Sequence, residues 1–418
     1  MKTIPFLLLF LLLFLLILLT SLTAYANKNY LIKGNSKTQT RYINKLLSNC
    51  ESLQQEDQAT SLGLDELKQC LLNSKLFSSV TISESKETNQ LIIQVKERWS
   101  LIPLPLYKRD SDGKNSYGFY LVDSNFLGLG NTLVLGGAYS NANSNYMLYY
   151  NNRALFLTQW GLSIYSGRDK KNLYLKDRAL TTIDAFKYIE SSYFLTLSYN
   201  FSDRLSLSGR TGYSQNRFEK IEPFTPPTAF NSVCIGTSLT WKNEHYKFYF
   251  NKGLFSRFEV MQEIYRTDNI HKQNLLSLNL RYGLESYKSQ ALQLTLTSNY
   301  LTSGGKADAL KYPSDKSHPG LRGIPEGAYF SHFVTDASLD YQIPIAFFSA
   351  GTWTLAPFAD LAFINNDIYQ RQELWNRSYG IGSYFYLTGI MLPGMGFIFG
   401  KNHTFNNSFF EFTIGLSI

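Results

Sequence analysis

Arg322 is the residue whose setting most needs a chemical account. It stands in Leu321-Arg322-Gly323, inside a polar segment that also carries Gly304, Gly305, Pro313, Pro319, Gly320, Pro325 and Gly327. So many glycines and prolines exclude a helix or a central strand, and the segment over 303–328 reads as a long loop. A loop of that length has a job or is disordered. Residues for covalent or metal chemistry are not grouped anywhere. The sequence holds no Gly-x-Ser-x-Gly elbow. Its histidines, His245, His271, His318, His332 and His403, lack ligand spacing, so no metal is expected. Carboxylates such as Glu285 and Glu411 fit the lining of a wet interior. No catalytic residue and no cofactor is expected, and the chain is read as not an enzyme.

The first 26 residues read as a signal peptide: Lys2, the apolar run Phe6 to Leu19, then Ala24-Tyr25-Ala26. An uncleaved anchor is the alternative. Export to an oxidising compartment lets Cys50 and Cys70 pair, and that disulfide is expected. Cys234 lies in an apolar strand and reads as a small hydrophobe. The net charge of +8 is too small and too dispersed to argue for nucleic acid. Aromatics make up 15% of the chain, with 29 Tyr and 30 Phe. Beyond the export segment no stretch suits a membrane helix, whereas many aromatics in short strands suit an outer-membrane barrel with interfacial girdles.

Residues 27–98 read as β-α-α-β-β. Tyr30 to Asn35 is a strand and turn, Thr38 opens a helix through Tyr42, Ile43, Leu46 and Leu47, and a second helix runs over Leu64 to Ser74. Strands follow at Phe77 to Ile82 and Leu91 to Val95. From residue 99 to 418 the period changes to two. Leu276, Leu278, Leu280, Tyr282 and Leu284 alternate with polar or small residues, as do Tyr193 to Tyr199 and Phe410 to Ile418. Strand starts fall near Ser100, Ser116, Asn131, Asn145, Thr158, Ser191, Arg204 and Phe230. Further ones fall near Leu254, Gln273, Gln290, Tyr329, Gly351, Tyr379, Leu392 and Asn407. The fold expected is therefore an α+β module followed by an all-β, sixteen-stranded antiparallel transmembrane barrel, an even number as closure requires.

Several signatures resemble one family, the POTRA-barrel outer-membrane assembly and translocation factors of BamA/TamA and bacterial surface antigen type. The Gly34-Asn35 turn, Leu76-Phe77-x-x-Val80 and Val95-Lys96-Glu97-Arg98 look like a single POTRA domain. Asn125-Phe126-Leu127-Gly128-Leu129-Gly130 is similar to the family's early barrel turn. Leu321-Arg322-Gly323 resembles the tip of its inward-folded loop, with Ile324 where an aromatic is usual, and five strands follow it. Phe358-Ala359-Asp360-Leu361-Ala362 resembles its Asp-bearing strand, with Ala362 in place of Gly; Ile418 replaces the usual terminal aromatic. The resemblance implies that Arg322 pairs with Asp360 inside the lumen, since enclosed charges seldom stay unpaired. A solvated loop arginine is the competing reading. It also implies a periplasmic POTRA that receives client polypeptides, strand edges that accept an extended client, a lipid-embedded barrel, and room for periplasmic accessory proteins. Pro103 and Pro105 in the first strand deprive one edge of two donors, which fits a weak seam against the strand ending at Ile418. A Pro-rich linker would account for them too. The alternative function is a surface antigen or passive pore with a vestigial POTRA.

Overall fold

A computed structural model describes residues 30–51, 61–84, 90–109, 115–140, 143–176, 181–268, 272–302, 319–325, 331–367, 374–391 and 394–414. Residues 1–26, expected to be a signal peptide, Ile418 and most of the loop over 303–328 lie outside the described residues.

The chain opens with β1 (Tyr30–Lys33), α1 (Thr40–Glu51), α2 (Ser61–Asn73), β2 (Phe77–Glu84) and β3 (Leu91–Glu97). Its sheet has the order β1-β3-β2, with β1 parallel and β2 antiparallel to β3. The helices lay Ile43, Leu47, Leu67 and Leu71 on Phe77, Val80, Ile93 and Val95, making one small core. So small a core gains from a staple. Cys50 of α1 and Cys70 of α2 form a disulfide, their Cα atoms 6.1 Å apart and 20 residues apart in sequence. Closing a loop of that length contributes about 3 kcal/mol. We expect Cys50→Ser/Cys70→Ser to lower the denaturant midpoint of this module's amide protection accordingly; an unchanged midpoint would refute it.

Glu97 ties the end of β3 to the turn before α1. Its Oε1 accepts from the Thr38 amide at 2.7 Å, and its Oε2 accepts from the amides of Ser36 (3.0 Å) and Lys37 (2.9 Å) and from Ser36 Oγ (2.7 Å). Burial pushes this carboxyl up, but the hydrogen bonds from Thr38, Lys37 and Ser36 outweigh it and hold it at about 2. A depressed pKa gives stability that is present above the unfolded value near 4.5 and is lost as pH falls toward 2. Glu97→Gln should therefore destabilise the module at pH 6, with the gap to wild type closing between pH 4.5 and 2. A gap independent of pH would sink this account.

The remaining strands form one antiparallel sheet of 16, in unbroken sequential order. They are β4 (Leu101–Arg109), β5 (Asn115–Phe126), β6 (Asn131–Ser140), β7 (Ser144–Asn152), β8 (Trp160–Lys176), β9 (Thr182–Asn200), β10 (Leu205–Lys220) and β11 (Phe230–Tyr246). Then come β12 (Asn251–Arg266), β13 (Asn274–Glu285), β14 (Ala291–Thr302), β15 (Ser331–Phe347), β16 (Gly351–Asp367), β17 (Leu374–Leu387), β18 (Met395–Asn402) and β19 (Asn407–Ile414). Contacts across its concave face show the sheet curled into a barrel form: Tyr249 and Phe250, between β11 and β12, pack on Phe358 of β16 and Tyr386 of β17. Among the described residues β4 and β19 are not paired with each other. Outward positions carry exposed Leu195, Leu239, Phe258, Leu294, Leu361 and Phe399, one to a strand. Inward ones carry charges such as Arg210, which reaches Glu259 at 2.9 Å, and Arg281, which grips Glu244 at 2.9 and 3.0 Å. Apolar outside and polar inside is the polarity of a barrel in lipid.

The expected strand starts agree with these to within a few residues, except at β9 and β17. β9 begins at Thr182 rather than near Ser191, and β17 at Leu374 rather than near Tyr379. The first half of β9 inverts the inside–outside rule, because inward Phe186 and Tyr188 join Leu173, Leu175 and Phe218 in a buried apolar cluster.

Candidate functional site

Pro319 to Pro325 is the described part of the long loop, and it lies inside the barrel rather than above it. Leu321, Arg322, Gly323 and Ile324 are all buried, Arg322 with no exposed surface. Leu321 and Ile324 pack with Val334 of β15 and Ala362 and Ile364 of β16, so Ile324 does the apolar anchoring expected of an aromatic. Gly323 has a φ of +75°, and a Cβ there would run into the Phe409 ring of β19. Its carbonyl accepts from Asn407 Nδ2 at 3.3 Å.

The tip delivers one guanidinium to a set of lumenal acceptors. Arg322 Nε and Nη2 donate to Asp360 Oδ2 and Oδ1 at 2.7 and 2.6 Å, a bidentate grip. Nη1 and Nη2 donate to Asp340 Oδ1 and Oδ2 at 2.9 and 3.2 Å. Ser338 Oγ accepts from Nη2 and donates to Asp340, while Ser378 Oγ donates to Asp360 at 3.3 Å. The Phe358 ring lies flat against the cation, its centroid 3.6 Å from Cζ. The alternation in β16 places Phe358, Asp360 and Ala362 on one inward face. Of these partners Asp340 and Ser338 were not anticipated. The run Asp336-x-Ser338-x-Asp340, polar at every second place just after the loop, was the signal for them.

Below this site the lumen is filled again. Phe248, Tyr249 and Phe250 fold inward between β11 and β12 and meet Phe358, Tyr384 and Tyr386. Gln342 Nε2 donates to the Tyr386 hydroxyl at 2.6 Å, fixing that ring. Arg322 on one side and the Phe248–Phe250 turn on the other thus close on the same inward Phe358.

The Asn125-to-Gly130 turn has a different place. Asn125, Gly128 and Gly130 form the saddle on which the N-terminal module sits. Asn125 Nδ2 donates to Thr38 Oγ1 at 2.9 Å, and its Oδ1 accepts from the Gly130 amide at 2.9 Å. The Gly128 carbonyl accepts from the Gln39 amide at 2.8 Å. Beside them Lys37 Nζ meets Asp123 at 2.9 and 3.0 Å and Ser100 at 2.7 Å. Leu129, Leu157 and Met391, from three barrel turns, pack against the module's core. The module therefore bridges one mouth of the barrel.

Pro103 and Pro105 lie in β4, where Leu101 pairs with Asp123. Ser124 N donates to Ser100 O at 3.0 Å, so the even residues of β4 turn their backbone groups toward β5. Pro103 and Pro105 consequently face the other edge, the one toward β19, and it lacks both donors. Cys234 lies in β11, far in sequence from the disulfide.

No protein-family model matches the sequence, and no curated protein matches it. Solved structures do. BamA from Haemophilus ducreyi lacking POTRA domains 1–3 aligns with a TM-score of 0.56 at 16% identity, over 92% of this chain and 82% of that one. The chain has the fold of BamA. CdiB from Acinetobacter baumannii aligns at 0.54 with 13% identity, over 89% of this chain and 69% of that one. CdiB from Escherichia coli aligns at 0.55 with 10% identity, over 92% of this chain and 72% of that one. The BamA-type fold accounts for the sequential barrel sheet.

Proposed function

We propose that this chain is a bacterial outer-membrane barrel that inserts or translocates client polypeptides, with the N-terminal module acting as a periplasmic POTRA domain that receives them. The observation that carries the reading is the edge of β4 toward β19, unpaired among the described residues. Two proline nitrogens face the seam, so pairing there lacks two donors and opens at less cost than at any rung where both partners donate. The outward apolar residues support placement in lipid, and the fold shared with BamA and CdiB supports a role in polypeptide traffic. Client segments, the bilayer and periplasmic accessory proteins are the partners this reading assigns.

The alternative, a surface antigen or passive pore with a vestigial POTRA, needs an open lumen or an idle module. The filled lumen and the docked module count against it. Depletion followed by a survey of the outer-membrane proteome separates the two. Loss of specific barrels or secreted proteins is expected; an unchanged proteome would overturn the reading. A seam test is sharper. Cysteine pairs joining outward Leu101 or Pro105 to outward Phe410 or Phe412 should, once oxidised, abolish client assembly, and reduction should restore it. Full activity in a locked variant would end the lateral-opening mechanism.

A further inference from the structure

Where the module meets the barrel mouth, Lys75, Lys242, Arg281, Glu244, Asn73 and Tyr246 line one cavity of about 100 Å³. Lys75 lies in the turn between α2 and β2, with Nζ 4.9 Å from the Tyr246 ring centre. Lys242 is on β11 and its side chain stands open to the interior. The one carboxylate here, Glu244, is committed to Arg281 through two hydrogen bonds at 2.9 and 3.0 Å. Among the described residues Lys75 and Lys242 have no carboxylate within ion-pair distance. The cavity shares Asn73, Lys75, Lys242 and Glu244 with a chamber of about 1260 Å³ between module and barrel, lined by eight Lys or Arg side chains against four Asp or Glu.

A cluster of like charges with too few counterions is unfavourable unless something anionic neutralises the excess. Burial, with Lys242, Arg153 and Arg281 nearby and Glu244 opposing, holds the Lys75 ammonium down to about 8. The environment therefore resists this charge, and an anion in the cavity would restore it. The chamber's volume exceeds that of an ordinary small-molecule pocket. Arg98, Arg153 and Arg204 continue the positive lining along it. Together these features suit an extended polyanion better than a single small ion.

We propose that this chamber binds an acidic polypeptide segment, with Lys75 and Lys242 taking its carboxylates at the passage between module and lumen. The proposal rests on the reading that the chain handles client polypeptides. It narrows that reading to clients, or client signals, rich in Asp and Glu.

The test uses the full chain in detergent and a fluorescent hexaglutamate peptide at low ionic strength, with hexalysine and inorganic phosphate as comparisons. Hexaglutamate should bind and hexalysine should not. Lys75→Gln/Lys242→Gln should weaken hexaglutamate at least about tenfold, because two of its charge partners go. Lys75→Arg/Lys242→Arg should retain binding within about threefold. Both variants should migrate before heating as wild type does, which checks that the barrel is folded. Unchanged affinity in the Gln variant overturns the site. Phosphate that displaces the peptide at equal concentration overturns the polypeptide assignment in favour of a small oxyanion. Binding is read with no client present, so its loss counts against this site alone, whereas an unchanged proteome on depletion counts against the functional reading alone.

Discussion

Arg322→Ala should leave the barrel inserted yet inactive, with the loop open to protease added from outside. The substitution strands Asp360 and Asp340 together in an enclosed lumen, and breaking a buried ion pair in this way costs about 3–5 kcal/mol. Because Arg322 serves two carboxylates, Asp360→Ala should be the milder change: Asp340 still holds the guanidinium at 2.9 Å. Arg322→Lys should recover only part of the activity, since an ammonium cannot fork across Asp360 and stack on Phe358 at once. The informative variant is the double one. With the guanidinium gone, Asp360→Asn removes a repelling charge, so Arg322→Ala/Asp360→Asn should equal or exceed Arg322→Ala in stability and loop protection. Strictly additive losses would mean that these two residues do not form the interaction on which the loop depends.

Gly128→Ala should undock the N-terminal module. Gly128 has a φ of +69°, and an added Cβ would collide with the Lys37 carbonyl oxygen, a backbone atom that cannot swing aside. A left-handed alanine alone costs about 1–3 kcal/mol, and relieving the clash means moving the Lys37-to-Gln39 segment away from its partners. Those partners include the Gln39–Gly128 and Asn125–Thr38 hydrogen bonds and the Lys37–Asp123 pair. We expect a tenfold or greater rise in proteolysis between module and barrel, a factor worth about 1.4 kcal/mol, with barrel migration unchanged. Gly128→Ala that leaves cleavage at the wild-type rate would show that the saddle is not what holds the module.

The parts legible in the sequence were those governed by local periodicity. Alternation of period two located sixteen strands, and it failed where the lumen itself turns apolar, at Phe186 and Tyr188. There an inward aromatic reads as an outward one, and half of β9 vanished from the pattern. Arg322 was legible because a long Gly- and Pro-bearing loop isolates it. Its pairing with Asp360 was suggested by resemblance, while Asp340 was missed although it stands 18 residues from Arg322 in an alternating polar run. The saddle was illegible for another reason. Lys37 and Asp123 are 86 residues apart, and nothing in either neighbourhood announces the other. The Asn125–Gly130 turn looked like a barrel feature, and its use as a docking surface follows only from where the chain returns.

The short link between module and barrel has a mechanical consequence. Trp99, two residues ahead of β4, donates its amide to the Gly389 carbonyl at 2.7 Å and accepts from the Met391 amide at 2.9 Å, a parallel rung with Ile390. That rung ties the root of β4 to the connection after β17, across the two strands that end the chain. If β4 and β19 part, this strap keeps the flanks together at the module side, and the gap opens as a wedge with its apex there. A strand pairing with the freed edge would then advance from the wide end toward the apex. One arriving from the module side would first have to break two backbone hydrogen bonds, so under the proposed function the strap would act as a latch on the direction of entry.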